Sequence, residues 1–515
     1  MSRVQNSIKN TSYAFAMQFI NTLFNFIFRT VVIKMLGIQV QSLNGLFTEV
    51  LAALSLAELG VGSAIVYNLY KPLAEGNTEK VKQLMQLFKK AYRIIAGVTF
   101  TVGTLLCPFV HLIVNSVEYS RGYIQIVYML FVIDLSLSYL FSYKISLITA
   151  DQKTYIFTKI DAILKIISLT TKIAVIVITR QYIAYLITCI AITLITNTIK
   201  SNIVNSQYNW LKEKCEPLPK EERDNVFSNI KNIFIKSLSG KITNSTDNIL
   251  ISILVSTVQV GYYTNYSLVM GVFRQIANQI AYNGVTASLG NMMAQESKDK
   301  CIRVFYRLQY LFFLIAVVSA VAIYVCINPF IVGIWRLGGE EFLLPEYILF
   351  VLCATLFIEI INRPLWAIME VSGLFKYDKW ASIAGSIVNL VVSIILGKKI
   401  GMAGIFIGTI ITYLIQAIIK ACILFRMRFG VSPVRYYICL FFSFVAYGVL
   451  IFTVEKLCSF VIVKSTALQF VINGAIAIVS VFAVVFLFTV RTEPFKYFCQ
   501  LASSCVEKIR LRNIK

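Results

Sequence analysis

An all-α integral membrane protein of about 14 transmembrane helices is the fold class that the sequence predicts, on three observations. The 515 residues are 58% hydrophobic and only 14% charged, with a mean hydropathy of +0.75, which is outside the range of soluble chains. The apolar residues gather in runs that match the roughly 20 residues a helix needs to cross hydrocarbon. The alternating pattern of a membrane barrel is absent, and an open sheet in lipid would leave backbone groups unpaired.

The predicted spans lie near 12–36, 43–68, 91–114, 122–147, 156–179, 182–204, 232–256, 261–289, 305–333, 343–369, 378–397, 401–425, 436–456 and 466–490. The N-terminal stretch runs past Arg29 to Leu36 without a small-residue cleavage pattern, so it reads as a first span and not as a removable signal. The longest connection, residues 205–231, is polar and carries Pro217 and Pro219. It divides the chain into an N-terminal lobe of six helices (1–204) and a C-terminal lobe of six (232–425). Two further spans (426–490) and a tail (491–515) follow. A faint repeat supports the division: the segment from Gly62 parallels that from Gly284, each a small-residue helix end, a charged loop and a basic aromatic helix. Two repeats in the same orientation predict pseudo-symmetric lobes around a central cavity, with a substrate site near the midplane.

A net charge of +23 would suggest nucleic acid in a soluble chain. Here the basic residues concentrate in both tails and in every second loop, which is the bias expected of cytoplasmic segments. The opposite loops hold Arg121, Arg180, Arg336, Lys398, Lys399, Lys456 and Lys464. Both termini are therefore expected on the cytoplasmic side, and no nucleic acid partner is implied. The eleven cysteines are scattered without a CxxC pair, and His111 is the single histidine, so neither a disulfide framework nor a metal site is expected. No GxxxxGK[ST] motif is present, and no cofactor is expected.

Ionisable residues within the spans carry the functional signal. A charge at a helix centre costs roughly 2.5–3.5 kcal/mol on insertion scales, so it tends to face a partner or a wet cavity. On span one Gln18, Asn21, Asn25 and Arg29 form one stripe, spaced three, four and four. Span eight repeats the arrangement with Ser267, Gly271, Arg274 and Asn278. Span seven carries Lys241 on a polar face with Asp247 adjacent, and span ten carries Glu359 and Arg363 at i, i+4 before Pro364. Span five has Asp161, Lys165 and Lys172; further acids are Glu49 and Glu58 on span two and Asp134 on span four. Asp161 with Lys165, and Glu359 with Arg363, can each close an ion pair on its own helix. Arg29 and Arg274 have no acid three or four residues away, which marks them as candidate anion ligands. Guanidinium groups suit a diphosphate, because they give bidentate, charge-assisted hydrogen bonds to phosphate oxygens.

Several runs resemble a known family. Arg29-Thr30-Val31-Val32-Ile33 with Leu36-Gly37, Gly45-Leu46-Phe47, Leu54 to Ala64 (LSLAELGVGSA) and Leu69-Tyr70-Lys71-Pro72-Leu73-Ala74 are similar to the first half of bacterial polysaccharide transport proteins. Those are the Wzx-type flippases of the multidrug/oligosaccharidyl-lipid/polysaccharide (MOP) exporter superfamily. Asp247 to Ser252 (DNILIS) and Val260-Gly261-Tyr262-Tyr263 resemble the corresponding second-half pattern. The resemblance implies two six-helix lobes in a V that open alternately to either side. It implies an oligosaccharide on undecaprenyl diphosphate as cargo, carried from the cytoplasmic to the outer leaflet of a bacterial plasma membrane for capsule or O-antigen. Arg29, Arg274, Arg363 and Lys241 would hold the diphosphate, and Asn21, Asn25 and Asn278 would meet sugar hydroxyls. Glycosyltransferases or a polymerase of the same pathway are implied contacts, and membrane lipid surrounds the chain. Span two has Glu49 and Glu58 where related lipid II flippases carry basic residues, so positions transfer one at a time. Asp247, Asp134, Glu359 and Glu58 are the candidates for ion coupling.

Two rival readings stand beside it. A drug/cation antiporter of the same superfamily would use an intramembrane carboxylate such as Asp247, although span one has no acid. A membrane polymerase or glycosyltransferase would need catalytic groups at the outer surface. The longest outer loop, RLGGEEFLLPE from Arg336, is short and its acids read as solvated charge, so no enzyme activity is expected.

Overall fold

The computed structural model describes residues 21–500 other than 59–60, 116–117, 152, 154, 214, 225, 228–245, 282–292, 294–295 and 373, together with residue 503. Among the described residues every regular element is a helix. Among the described residues eight helical segments are long and apolar enough to cross a membrane. Their outward faces keep large apolar side chains uncovered, with Ile178 at 80% and Phe488 at 81% exposure, which only a lipid solvent makes favourable. The chain is an all-helical, multi-pass membrane protein. Its contacts separate into two compact units, 1–261 and 262–515.

The first unit opens with helix α1 (21–36), followed by α2 (Ile38–Leu54) after a single residue. That residue is Gly37 at φ 87°, a conformation that L side chains rarely adopt. The connection expected over 37–42 is therefore one glycine. Span two is also not continuous: a 3₁₀ turn, Ser55–Glu58, separates α2 from α3 (Val61–Ala74). Then come α4 (Thr78–Leu106), α5 (Arg121–Ala150), α6 (Tyr155–Thr179) and α7 (Tyr182–Gln207). Asn77 and Ser120 cap α4 and α5 by accepting amide hydrogen bonds from Lys80 and Tyr123. The core of the unit is apolar and aromatic, with Leu69, Phe88, Tyr92 and Leu147 buried together. Gly103 lets α4 approach α5 closely, since a Cβ there would lie 2.6 Å from Val132 Cγ1.

Helix α8 (Asp247–Leu254) and the start of α9 (Thr257–Asn278) belong to this unit too. Ser252 Oγ donates to Ile113 O at 2.6 Å, and Asn248 Nδ2 donates to Glu49 Oε1 at 3.4 Å. Gly261 sits against α2, where a Cβ would meet Ser42 Oγ at 2.2 Å.

The second unit contains the rest of α9 and the long helix α10 (Lys298–Pro329), which runs into a π turn, Phe330–Trp335. Helices α11 (Glu346–Ile361) and α12 (Arg363–Val371) occupy the predicted tenth span, interrupted at Asn362. Helix α13 (Phe375–Ile423) is two helices meeting at Ile400 and Gly401, the latter at φ 64°. Its halves fold into a hairpin joined by small polar residues: Ser393 Oγ donates to Ile405 O at 2.9 Å and Asn389 Nδ2 to Thr409 Oγ1 at 3.1 Å. Helices α14 (Val434–Ser459) and α15 (Thr466–Thr489) complete the unit.

Candidate functional site

The second unit gathers charge where α11 breaks. Pro364 has no amide hydrogen to continue the helical ladder, and the chain turns at Asn362 before α12 begins. Two acceptors at the break, one backbone and one side-chain, find partners on neighbouring helices. Gln309 Nε2 donates to Ile361 O at 3.0 Å, and Tyr436 OH donates to the side chain of fully buried Asn362 at 3.0 Å.

This break places Arg363 one turn beyond Glu359, and the expected i, i+4 pair between them is present. Glu359 does more than that. Its Oε2 accepts from Arg274 Nε at 2.8 Å, while Oε1 is bound by Arg363 Nη2. The side chains are 11% (Glu359), 14% (Arg363) and 23% (Arg274) exposed, so the triad is mostly enclosed yet not sealed. The sequence expects Arg274 to present a cation with no acid of its own. The acid instead comes from α11, because helices packed side by side supply neighbours that spacing along one helix does not reveal. With two guanidiniums sharing one carboxylate, the triad keeps one positive charge.

Further charged and aromatic residues adjoin it. Lys420 Nζ on α13 lies 2.8 Å from Asp378 Oδ1, and its side chain is 8% exposed. Trp366 adjoins both cationic groups, with Arg363 Cζ 5.0 Å and Lys420 Nζ 5.7 Å from the ring centroid. Tyr413 packs against the same indole at 5.6 Å. Tyr413, Gln416 and Lys420 share one face of α13 by their spacing of three and four. Sequence reasoning missed Trp366, Lys420, Asp378 and Tyr413. That shared face, inside an apolar run, was the signal available.

Asn278 lies one turn beyond Arg274 on α9, and its Oδ1 is buried without a hydrogen-bond partner among the described residues. Arg274, Arg363, Glu359 and Asn278 thus all fall in the second unit. Lys241 and Gln18 lie outside the described residues. In the first unit Arg29 and Asn21 are partly buried on α1 and Asn25 is exposed. Glu58 accepts from Tyr92 OH at 3.2 Å at the 3₁₀ turn. Asp134 on α5 has one carboxylate oxygen buried with no hydrogen-bond partner among the described residues. Asp247 opens α8, where a helix N-terminus favours negative charge. Asp161 pairs with Lys200 on the next helix at 2.6 Å, and not with Lys165 on its own; the neighbouring helix again supplies the partner. Among the described residues no group of His, Cys, Asp and Glu side chains is arranged to hold a metal.

Comparison with protein-family models and with curated proteins by sequence finds no match. Solved structures do match. The lipid II flippase MurJ in an inward closed conformation superposes with a TM-score of 0.68 over 92% of this chain and 98% of its own, at 14% identity. An inward-facing MATE family multidrug resistance transporter of the MOP superfamily gives 0.59 over 79% and 94%, also at 14% identity. The fold is that of the MOP-superfamily transporters. The MATE multidrug transporter DinF-BH gives 0.53 over 80% and 93%, at 14% identity. These proteins bearing the MOP fold are a flippase and transporters, not enzymes, and the flippase covers more of the chain than either multidrug transporter.

Proposed function

We infer that the protein is a flippase for a lipid-linked oligosaccharide, a polysaccharide repeat unit on undecaprenyl diphosphate. It moves the polar head from the cytoplasmic to the outer leaflet of a bacterial plasma membrane by alternating access, with both termini on the cytoplasmic side. The observation that carries this reading is the triad Arg274–Glu359–Arg363, a mostly enclosed site with one surplus positive charge in a chain with the MOP fold. An anionic head offsets the cost of enclosing the guanidiniums, and they replace the water its phosphates lose. Glu359 orients both donors and keeps them apart until the ligand arrives. Arg29 and Lys241 are assigned as further phosphate ligands, and Asn21, Asn25 and Asn278 as partners for sugar hydroxyls.

Cells lacking the protein should lose surface polysaccharide and accumulate its lipid-linked precursor in the cytoplasmic leaflet. Arg274→Ala or Arg29→Ala should give the same phenotype with the protein still inserted and abundant. Full export from both variants would remove the site.

A drug/cation antiporter is the second reading, favoured by the likeness to multidrug transporters and by the unsatisfied carboxylate oxygen of Asp134. It requires drug resistance that disappears with Asp134→Asn or Asp247→Asn, and surface polysaccharide that does not depend on the protein.

A further inference from the structure

Trp366 is an aromatic ring beside two cations, and its own polar atom has no hydrogen-bond partner among the described residues. Trp366 Nε1 and Arg363 Nε are both buried and have no acceptor among the described residues. Each is a donor only, and leaving such a group unpaired costs about 1–3 kcal/mol. These two nitrogens therefore each call for an acceptor oxygen. The two residues lie three apart on α12, on one face, and α13 brings Lys420 and Tyr413 to the same indole. The Tyr413 and Trp366 planes meet at 57°, so they form a corner and not a closed stack. The ion pairs of this cluster set Arg274, Arg363 and Lys420 against Glu359 and Asp378, three positive and two negative, which leaves one positive charge among the paired groups.

A sugar ring carrying one carboxylate meets each of these conditions. Its C–H face covers an indole, its hydroxyls and carboxylate accept from donor-only nitrogens, and its single negative charge balances the surplus. A hydrophobic cation would meet that surplus as repulsion. We propose that Trp366, Arg363 and Lys420 form a subsite for a hexuronic acid residue in the polar head of the cargo. This rests on the lipid-linked glycan reading above and adds to it the class of sugar that is selected.

The test uses the full chain in detergent with Trp366 as its only tryptophan, through Trp210→Phe, Trp335→Phe and Trp380→Phe. Indole fluorescence is titrated with methyl glucuronoside, methyl glucoside and a hydrophobic dye cation. Saturable quenching by the glucuronoside, at least tenfold tighter than by the glucoside, is expected. Lys420→Met should abolish it and Lys420→Arg restore it. Equal response to both sugars, or no response to either, would overturn the subsite. Should that variant fold poorly, transport by the otherwise unaltered protein in proteoliposomes decides. Wild type should move uronic-acid-headed lipids at least tenfold faster than neutral ones, and Trp366→Phe should narrow the ratio. Equal transport of both heads by wild type would overturn the subsite while leaving the flippase reading intact. Transport of neither, with movement of the dye cation, would overturn both.

Discussion

Glu359 Oε2 accepts a hydrogen bond from Arg274 Nε at 2.8 Å, joining helices whose residues stand 85 positions apart in sequence. The other oxygen of the same carboxylate holds Arg363. Removing that charge strands two enclosed cations beside each other, and breaking a buried pair in this way costs about 3–5 kcal/mol. Glu359→Gln should therefore lower the thermal midpoint of the purified protein by several degrees, and Glu359→Asp by less. An unchanged melting curve for Glu359→Gln would mean that the triad is not held as described.

The hairpin of α13 depends on absent side chains. A Cβ on Gly404 would lie 2.2 Å from the backbone oxygen of Leu396, which cannot swing aside. Gly404→Ala should thus destabilise by about 1–3 kcal/mol, the usual cost of overpacking. Gly97 on α4 has nothing within 4 Å of its Cβ position, so Gly97→Ala should be neutral or stabilise by up to about 1 kcal/mol through helix propensity. Paired thermal melts check both, and equal effects would contradict the packing.

Just beyond α5, Asp151 is held by Lys153 at 2.7 Å and by Tyr208 OH at 2.5 Å. Burial pushes this carboxyl up, but the hydrogen bonds from Lys153 and Tyr208 and the Lys153 charge outweigh it and set it below its usual value. A lowered carboxylate pKa gives stability that is present above the unfolded-state value of about 3.9 and is lost as pH falls through the folded one. The melting difference between wild type and Asp151→Asn should therefore hold steady near neutrality and shrink in acid below about pH 4. A difference that grows on acidification would reverse the assignment.

Most of the fold was legible because lipid imposes a simple rule: long apolar runs must be helices, and those over 122–147, 182–204 and 466–490 match α5, α7 and α15 within a few residues. Breaks were less visible. The run through Ser55–Glu58 stays apolar on either side, so hydropathy did not mark the 3₁₀ turn between α2 and α3. The site was legible in part for a related reason. Glu359 and Arg363 are one helical turn apart and announce themselves, whereas the pairing of Arg274 with Glu359, and of Lys420 with Asp378, follows from how helices pack. Lys420 lies close enough to the end of its span to pass for a snorkelling lysine until Trp366 and Asp378 are seen beside it.

Exposed basic residues away from the triad serve as a control. Lys398 and Lys399 stand exposed in the turn of the α13 hairpin. Lys398→Ala with Lys399→Ala should leave polysaccharide export within about twofold of wild type, because an exposed charge contributes roughly 0–1 kcal/mol or less. Loss of export in that variant would place the functional surface elsewhere.

The most direct measurement is movement of the cargo itself. Purified protein is reconstituted into liposomes with a fluorescent oligosaccharide on undecaprenyl diphosphate, and a membrane-impermeant quencher reports how much of the head has changed leaflet. Wild type is predicted to expose the inner pool to the quencher, with Arg274→Ala/Arg363→Ala at least tenfold slower at equal protein density. Leaflet exchange no faster than in protein-free liposomes, or equally fast with the double variant, would contradict the account.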